Sequence, residues 1–403
     1  MRHAGSERVV ARRVAAYLAT FLLSFCAVSS AFYWVKNEAR APSTIRENLP
    51  SKVRYWRAHR DDYDLLFFGD SRTYCNVHPE RIDPRLGTRS LNLSTFANWF
   101  PTQLPMVRDV IHDIPRGVTV VWSVGQSNFF RGNANAVTQA YPIELREAVR
   151  YLRLGLDPWG IARNIAAFLP ITNLVTDAHL IRGVLLAQTG HPLRRTRSTT
   201  VTGAEPAGQT RRIAELTAYW SQQPDVGRVR VDVQGEEVIS VTLYMKGGGY
   251  YRTELLPEFF REKQRDILAS EGGPLDDDAA RAYEVGDADP RLMQLFEQIL
   301  DEFERAQVPL IVVQMQEAPF TYRHPLVYEK AMKFMDGVVR SRVERRGFAY
   351  LAPDFSGIRS EDFFDYDHLN SSGIVKFTDA LVPLLARHLP PDRRASADAV
   401  QLR

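Results

Sequence analysis

The feature that most constrains this chain is Tyr63-Asp64-Leu65-Leu66-Phe67-Phe68, a short run whose last four residues are all apolar and which ends in Gly69. A strand with one wet face alternates apolar and polar residues, whereas a continuous apolar run is buried on both faces. Such a strand needs a sheet sandwiched between helices, and the rest of the chain supplies the parts. Ser90-Leu91-Asn92-Leu93 reads as a second strand and Val118 to Val124 as a third. Between them, Pro101 to Ile114 reads as a helix with Leu104, Val107 and Ile111 on one face. A matching set returns near the C-terminus. Asp289-Pro290 starts a helix with Leu292, Leu295, Phe296, Ile299 and Phe303 in one stripe. Pro309 to Gln314 is a strand, Leu326 to Arg346 a helix ended by Gly347, and Phe348 to Leu351 a strand. Ser371 or Ser372 is expected to cap a last helix. Strands alternating with helices predict an α/β fold with a three-layer parallel sheet.

The two halves of this core, 63–130 and 290–389, are separated by residues 131–289, too many for a loop. Helices are expected there at 143–154, 159–169, 174–188, 213–222 and 255–269, and a hairpin at 228–245 turning at Gln234-Gly235. Residues 191–209 read as a basic, Ser/Thr-rich linker and 271–289 as an acidic one. The polar tail 390–403 is expected to be disordered.

A second constraint concerns compartment. Val14 to Val35 is a run of 22 residues without a charge. At about 1.5 Å per residue it can span a hydrocarbon core of about 30 Å. Arg8, Arg12 and Arg13 precede it, and Tyr33 and Trp34 stand at its far end. Basic flanks stay in the cytoplasm and aromatic rings favour the interface. The reading is a cytoplasmic N-terminus (1–13), a transmembrane signal anchor (14–35) in the inner membrane, a stalk or juxtamembrane helix (36–62), and a periplasmic or otherwise extracytoplasmic remainder. The alternative is a signal peptide cleaved after Ala31. With 51 basic and 48 acidic residues the net charge is +3, which gives no argument for nucleic-acid binding. The two cysteines, Cys26 in the apolar run and Cys75 in the core half, make no disulfide framework.

Chemistry is carried by two short segments at opposite ends of the core. Ser71 follows the first strand in Gly69-Asp70-Ser71, and Asp365 and His368 follow the last strand in Asp365-Tyr366-Asp367-His368. Loops at the carboxyl ends of parallel strands converge on one crevice. A serine there becomes a nucleophile if a base takes its proton and a third group orients that base. Ser71 is thus the candidate nucleophile and His368 the base. Asp365, three positions before His368, is the favoured orienting acid, with Asp367 as the alternative. Cys75 reads as a small buried residue, His78 and His112 as surface or helix residues, and Gly247-Gly248-Gly249 as a flexible turn. No cluster of ligands suggests a metal, and no motif suggests a cofactor.

Phe67-Phe68-Gly69-Asp70-Ser71-Arg72-Thr73 and Asp365-Tyr366-Asp367-His368-Leu369-Asn370-Ser371-Ser372-Gly373 resemble the SGNH (GDSL-like) hydrolase superfamily. The longer forms resemble its membrane-anchored members, which act in O-acetylation of exported polysaccharides or in D-alanyl transfer to teichoic acids. The resemblance covers about residues 63–130 and 290–388. It implies a flavodoxin-like sheet, a Ser71–His368–Asp365 triad flanked by Gly69 and Asp70, and the Ser71 N–H as one oxyanion donor. The second block normally supplies a glycine N–H; here Ser94 or Ala97 stands nearest. The third block is normally Gly-x-Asn-Asp, but here reads Gly125-Gln126-Ser127-Asn128, with the asparagine displaced by one position. Asn128, Ser127 or Gln126 would supply that donor. The implied function is an O-acyltransferase acting on a glycan or cell-envelope polymer, partnered by a polytopic membrane acyltransferase. A simple esterase with water as acceptor, or a non-catalytic assembly protein on the same fold, are the alternatives.

Overall fold

The computed structural model describes residues 45–129, 137–168, 288–318, 325–363 and 367–389, three strands between 226 and 255, and scattered positions from 16 to 27. The chain divides into two compact units, Met1–Arg40 with Ala162–Ser198, and Ala41–Ile161 with Thr199–Arg403. The described residues of the first unit are helical, and the second unit holds every described strand.

The described strands are β1 (Leu65–Phe68), β2 (Ser90–Asn92), β3 (Thr119–Val124), β4 (Val226–Val233), β5 (Glu237–Leu243), β6 (Tyr251–Leu255), β7 (Leu310–Gln314) and β8 (Ala349–Leu351). Five form one all-parallel sheet in the order β2-β1-β3-β7-β8. Chain order therefore reverses at β1, and the crevice between β1 and β3 is where a doubly wound sheet places its site.

The helices are α1 (Ile45–Ala58), α2 (Ser71–Asn76), α3 (Pro79–Leu86), α4 (Phe100–Val110), α5 (Leu145–Arg153), α6 (Pro158–Phe168), α7 (Pro290–Ala306), α8 (Pro325–Lys333), α9 (Arg340–Glu344) and α10 (Ser371–His388). They explain why β1 is apolar throughout. Leu65 and Phe67 share one core cluster with Val121, Ile311 and Val313, and with Ile82 of α3 and Phe377, Leu381 and Leu385 of α10. On the other face Phe68 meets Phe303 of α7, and Trp122 stacks on Phe296 of α7 at 5.2 Å and meets Phe100 of α4 at 5.7 Å. Each such side chain, fully buried, contributes roughly 1.5–3 kcal/mol.

Several elements differ from the sequence reading. The segment read as a stalk or juxtamembrane helix does contribute a helix, α1, but it packs inward through Leu49, Val53 and Trp56, each at most 1% exposed and spaced one helical turn apart. The expected hairpin is β4–β5, and β6 joins it as a third antiparallel strand ending at Leu255, where a helix was expected to begin. The long helix before Gly347 is α8 and α9 joined by a π-helical stretch, Phe334–Val339. The last helix is capped by Asn370, not by either serine: its side chain accepts the N–H groups of Ser372 and Gly373. Short helices α2 and α3 were not anticipated. The helices expected at 174–188 and 213–222, the linker 191–209, most of 271–289, Gly247-Gly248-Gly249 and the tail 390–403 lie outside the described residues. So does most of Val14–Val35; among the described residues no helix is long and apolar enough to cross a membrane.

Candidate active site

The carboxyl end of β1 is built around a glycine. A Cβ on Gly69 would lie 1.9 Å from Thr73 Oγ1 and 3.3 Å from the Ser123 carbonyl, so only glycine lets α2 start this close to β3. Asp70 caps α2, its carboxylate accepting the Arg72 N–H at 3.0 Å. Ser71 is the first residue of α2 and is partly exposed.

Beneath Ser71 lies a buried charge network. Arg72 is 0% exposed, and its guanidinium bonds both Asp70 carboxylate oxygens, Ser127 Oγ at 2.8 Å and Asn128 Oδ1 at 2.6 Å. Glu317, past β7, stands 3.7 Å from Arg72 Nη1. Asn128 Nδ2 donates to Asp70 at 3.0 Å, and Asn128 Oδ1 also accepts the Gly125 N–H at 2.7 Å. Burial alone would push the Asp70 carboxyl up, but the Arg72 charge and hydrogen bonds outweigh it and hold it below its ordinary value. The network ties together the turns after β1, β3 and β7.

The His368 loop is pinned to α2 itself. Asn76, five residues after Ser71, accepts the Leu369 N–H at 2.9 Å and donates to the Asp367 carbonyl at 3.2 Å. One carboxamide thus holds the backbone on both sides of His368. Burial lowers the Arg72 pKa, but the Asp70 charge and hydrogen bonds outweigh it and raise the pKa above its ordinary value, and the Asp367 charge adds to that. The Phe96 ring bridges the same elements, 5.2 Å from Tyr74 of α2 and 6.4 Å from the His368 ring. Asp367 Oδ1 is 3.2 Å from His368 Nδ1, so the carboxylate described at the imidazole is Asp367; Asp365 lies outside the described residues.

The rest of the C-terminal motif shapes this loop. Phe363 and Leu369 form an antiparallel bridge that closes its base. Asn370 caps α10 and donates to the Glu361 carbonyl at 2.7 Å. A Cβ on Gly373 would lie 2.2 Å from the Asp362 carbonyl, which accounts for the glycine.

The expected oxyanion residues are largely committed elsewhere. Ser94 donates its N–H to Asn92 Oδ1 at 3.1 Å and its hydroxyl to the Phe67 carbonyl at 3.3 Å. Ser127 Oγ accepts from Arg72, and Asn128 serves the network above. Gln126 differs: it is 0% exposed, yet among the described residues neither carboxamide atom has a hydrogen-bond partner. It sits on the turn after β3, beside the Ser71 turn. Ala97 adopts φ 52°, a left-handed conformation costing about 1–2 kcal/mol for a residue with a Cβ. Its turn is fixed to the site by Asn98, which donates to the Gly69 carbonyl at 3.0 Å.

Sequence reasoning missed the supporting residues. Lys52 of α1 is 1% exposed and donates to the carbonyls of Asn92 and Ser94 at 2.9 and 2.7 Å, with its ammonium 4.0 Å from the Tyr74 ring centre. No local motif marks it; its signal is a lysine at the centre of α1's apolar stripe. Cys75 is buried, as expected. His78 is buried rather than superficial, 2.8 Å from the Cys75 carbonyl. Among the described residues no group of three or more His, Cys, Asp or Glu could hold a metal ion.

Compared with models of known protein families and with curated proteins, the sequence matches none.

Proposed function

We propose that Ser71 and His368 are nucleophile and base of an SGNH-type serine O-acyltransferase. It is anchored in the inner membrane by Val14–Val35, faces the periplasm, and modifies an exported glycan or cell-envelope polymer. The observation that carries the reading is the Asn76 clamp, which fastens the His368 loop to the helix that begins with Ser71. The Asp367 carboxylate at His368 Nδ1 favours the tautomer whose Nε2 can accept a proton.

In the proposed cycle Ser71 Oγ attacks the acyl carbonyl while its proton passes to His368. The tetrahedral oxyanion is held by the Ser71 N–H and a donor from the turn after β3. The donor's alcohol leaves, taking the proton from His368, and an acyl-Ser71 ester remains. A sugar hydroxyl then gives its proton to His368 and attacks that ester; the bond to Ser71 Oγ breaks, and Oγ takes the proton back from His368, which restores both residues. A polytopic membrane acyltransferase would supply the acyl group. The commitment of Ser127 and Asn128 to Arg72 favours the competing non-catalytic reading.

A serine-directed fluorophosphonate separates these. Labelling of the full chain that is lost in Ser71→Ala and His368→Ala supports the enzyme; no labelling of the folded protein sinks it. Acetyl transfer to oligosaccharide in excess of acetate release then distinguishes transferase from esterase.

A further inference from the structure

α5 exposes the wrong residues for a helix surrounded by water. Leu145, Val149 and Leu152, spaced one turn apart, are 76%, 43% and 49% exposed, and Trp159 at the start of α6 is 76% exposed. Arg146, Arg150 and Arg153 form a second stripe beside this ridge, and among the described residues none of the three makes an ion pair. The buried side is fully used: Glu147 pairs with Arg108, and the Tyr151 hydroxyl donates to the Pro101 carbonyl at 2.8 Å. Of the acids around the adjoining groove, Glu147 and Glu302 are spent on Arg108 and Arg305, leaving Glu144.

We propose that this face docks on the headgroup region of an anionic bilayer. The apolar ridge and Trp159 enter the interface, and the three arginines meet lipid phosphates. The choice of occupant rests on charge: a row of unpaired arginines beside an apolar ridge with an exposed Trp matches an anionic lipid surface. A second copy of the chain would set arginine against arginine unless Glu144 compensated. Gly160 packs against the backbone of Val137, and the Thr138 hydroxyl donates to the Ala97 carbonyl at 2.7 Å. The membrane face is therefore joined through Val137 and Thr138 to the loop beside Ser71.

The full chain reconstituted in vesicles of brominated phosphatidylcholine, with and without phosphatidylglycerol, tests this. The Trp159 signal is the emission difference between wild type and Trp159→Phe. The expected result is strong quenching of that difference in the anionic vesicles. It weakens several-fold in zwitterionic vesicles and in the Arg146→Glu, Arg150→Glu, Arg153→Glu variant. Those surface substitutions should leave the circular dichroism unchanged, and Leu152→Gln gives a second, uncharged disruption. Unquenched Trp159 emission overturns the proposal, as does equal quenching in both lipids. Shielding of Trp159 in detergent that tracks dimer formation overturns it in favour of a second copy.

Discussion

Arg72 occupies the space that a side chain on Gly125 would need: a Cβ there would lie 2.1 Å from Arg72 Nη1 and 3.2 Å from the Met315 carbonyl. Gly125 is therefore the groove through which Arg72 passes from the turn after β1 to Ser127, Asn128 and Glu317. Gly125→Ala forces the fully buried guanidinium off its bonded position. Separating one partner from a buried ion pair costs about 3–5 kcal/mol. A loss of that order in urea denaturation is expected, and a loss under about 1 kcal/mol, within the ordinary range for substitutions away from such features, would show that Arg72 has room to yield.

Lys52 predicts a pH dependence. Burial holds its ammonium well below the ordinary value of 10.5, against the opposing pull of Cys75. The unfolded chain therefore binds more protons between the folded and unfolded pKa values, and stability rises with pH through that window up to 10.5. Lys52→Met keeps the stem and removes the titration. Its unfolding free energy should lose that rise, at a cost of about 1–3 kcal/mol for the two carbonyls left without a donor. Urea melts of both proteins at neutral and alkaline pH provide the check; parallel curves would count against the assignment.

The sheet was legible because burial on both faces forces an unbroken apolar strand, a local signal in Leu65–Phe68 and Val120–Trp122. The two chemical motifs were legible as short residue patterns, with Gly69 at the end of β1 and Asn370 and Gly373 at the start of α10. What local pattern does not encode is a side chain that travels. Arg72 reaches Asn128, Asn76 reaches the His368 loop and Lys52 reaches Ser94, and each pairing exists only once strands distant in sequence lie side by side. The cap at Asn370 was misread because the serines after it are equally good caps by composition, and only the geometry of the Asp362 approach selects the asparagine.

Gln126 allows fold and function to be separated by sign. A buried carboxamide with neither atom bonded is a cost to the fold, and an apolar replacement of similar shape removes it. Gln126→Leu should raise the unfolding free energy or leave it unchanged. If Gln126 is the donor from the turn after β3, the same substitution should lower acyl turnover by about 10²–10³. Opposite signs in the two measurements identify a donor to the reacting oxygen; a stabilised protein with full activity assigns Gln126 no such role.

The two aspartates before His368 make different predictions. Asp367 stands at 3.2 Å from Nδ1, and Asn76 holds its backbone carbonyl, so its place relative to the imidazole is set by α2. If it is the orienting carboxylate, Asp367→Asn preserves the shape of the loop but no longer favours the imidazole tautomer whose Nε2 is the acceptor. Turnover should then fall by about 10⁴, as for other triads that lose this group. Asp365→Asn should change it little. Asp367 also lends its charge to Arg72, so Asp367→Asn carries a modest stability cost that Asp365→Asn does not. Single-turnover acylation by an activated ester, measured across pH for both variants, reads this directly. The reverse ranking would return the orienting role to Asp365 and leave Asp367 as a partner of Arg72 alone.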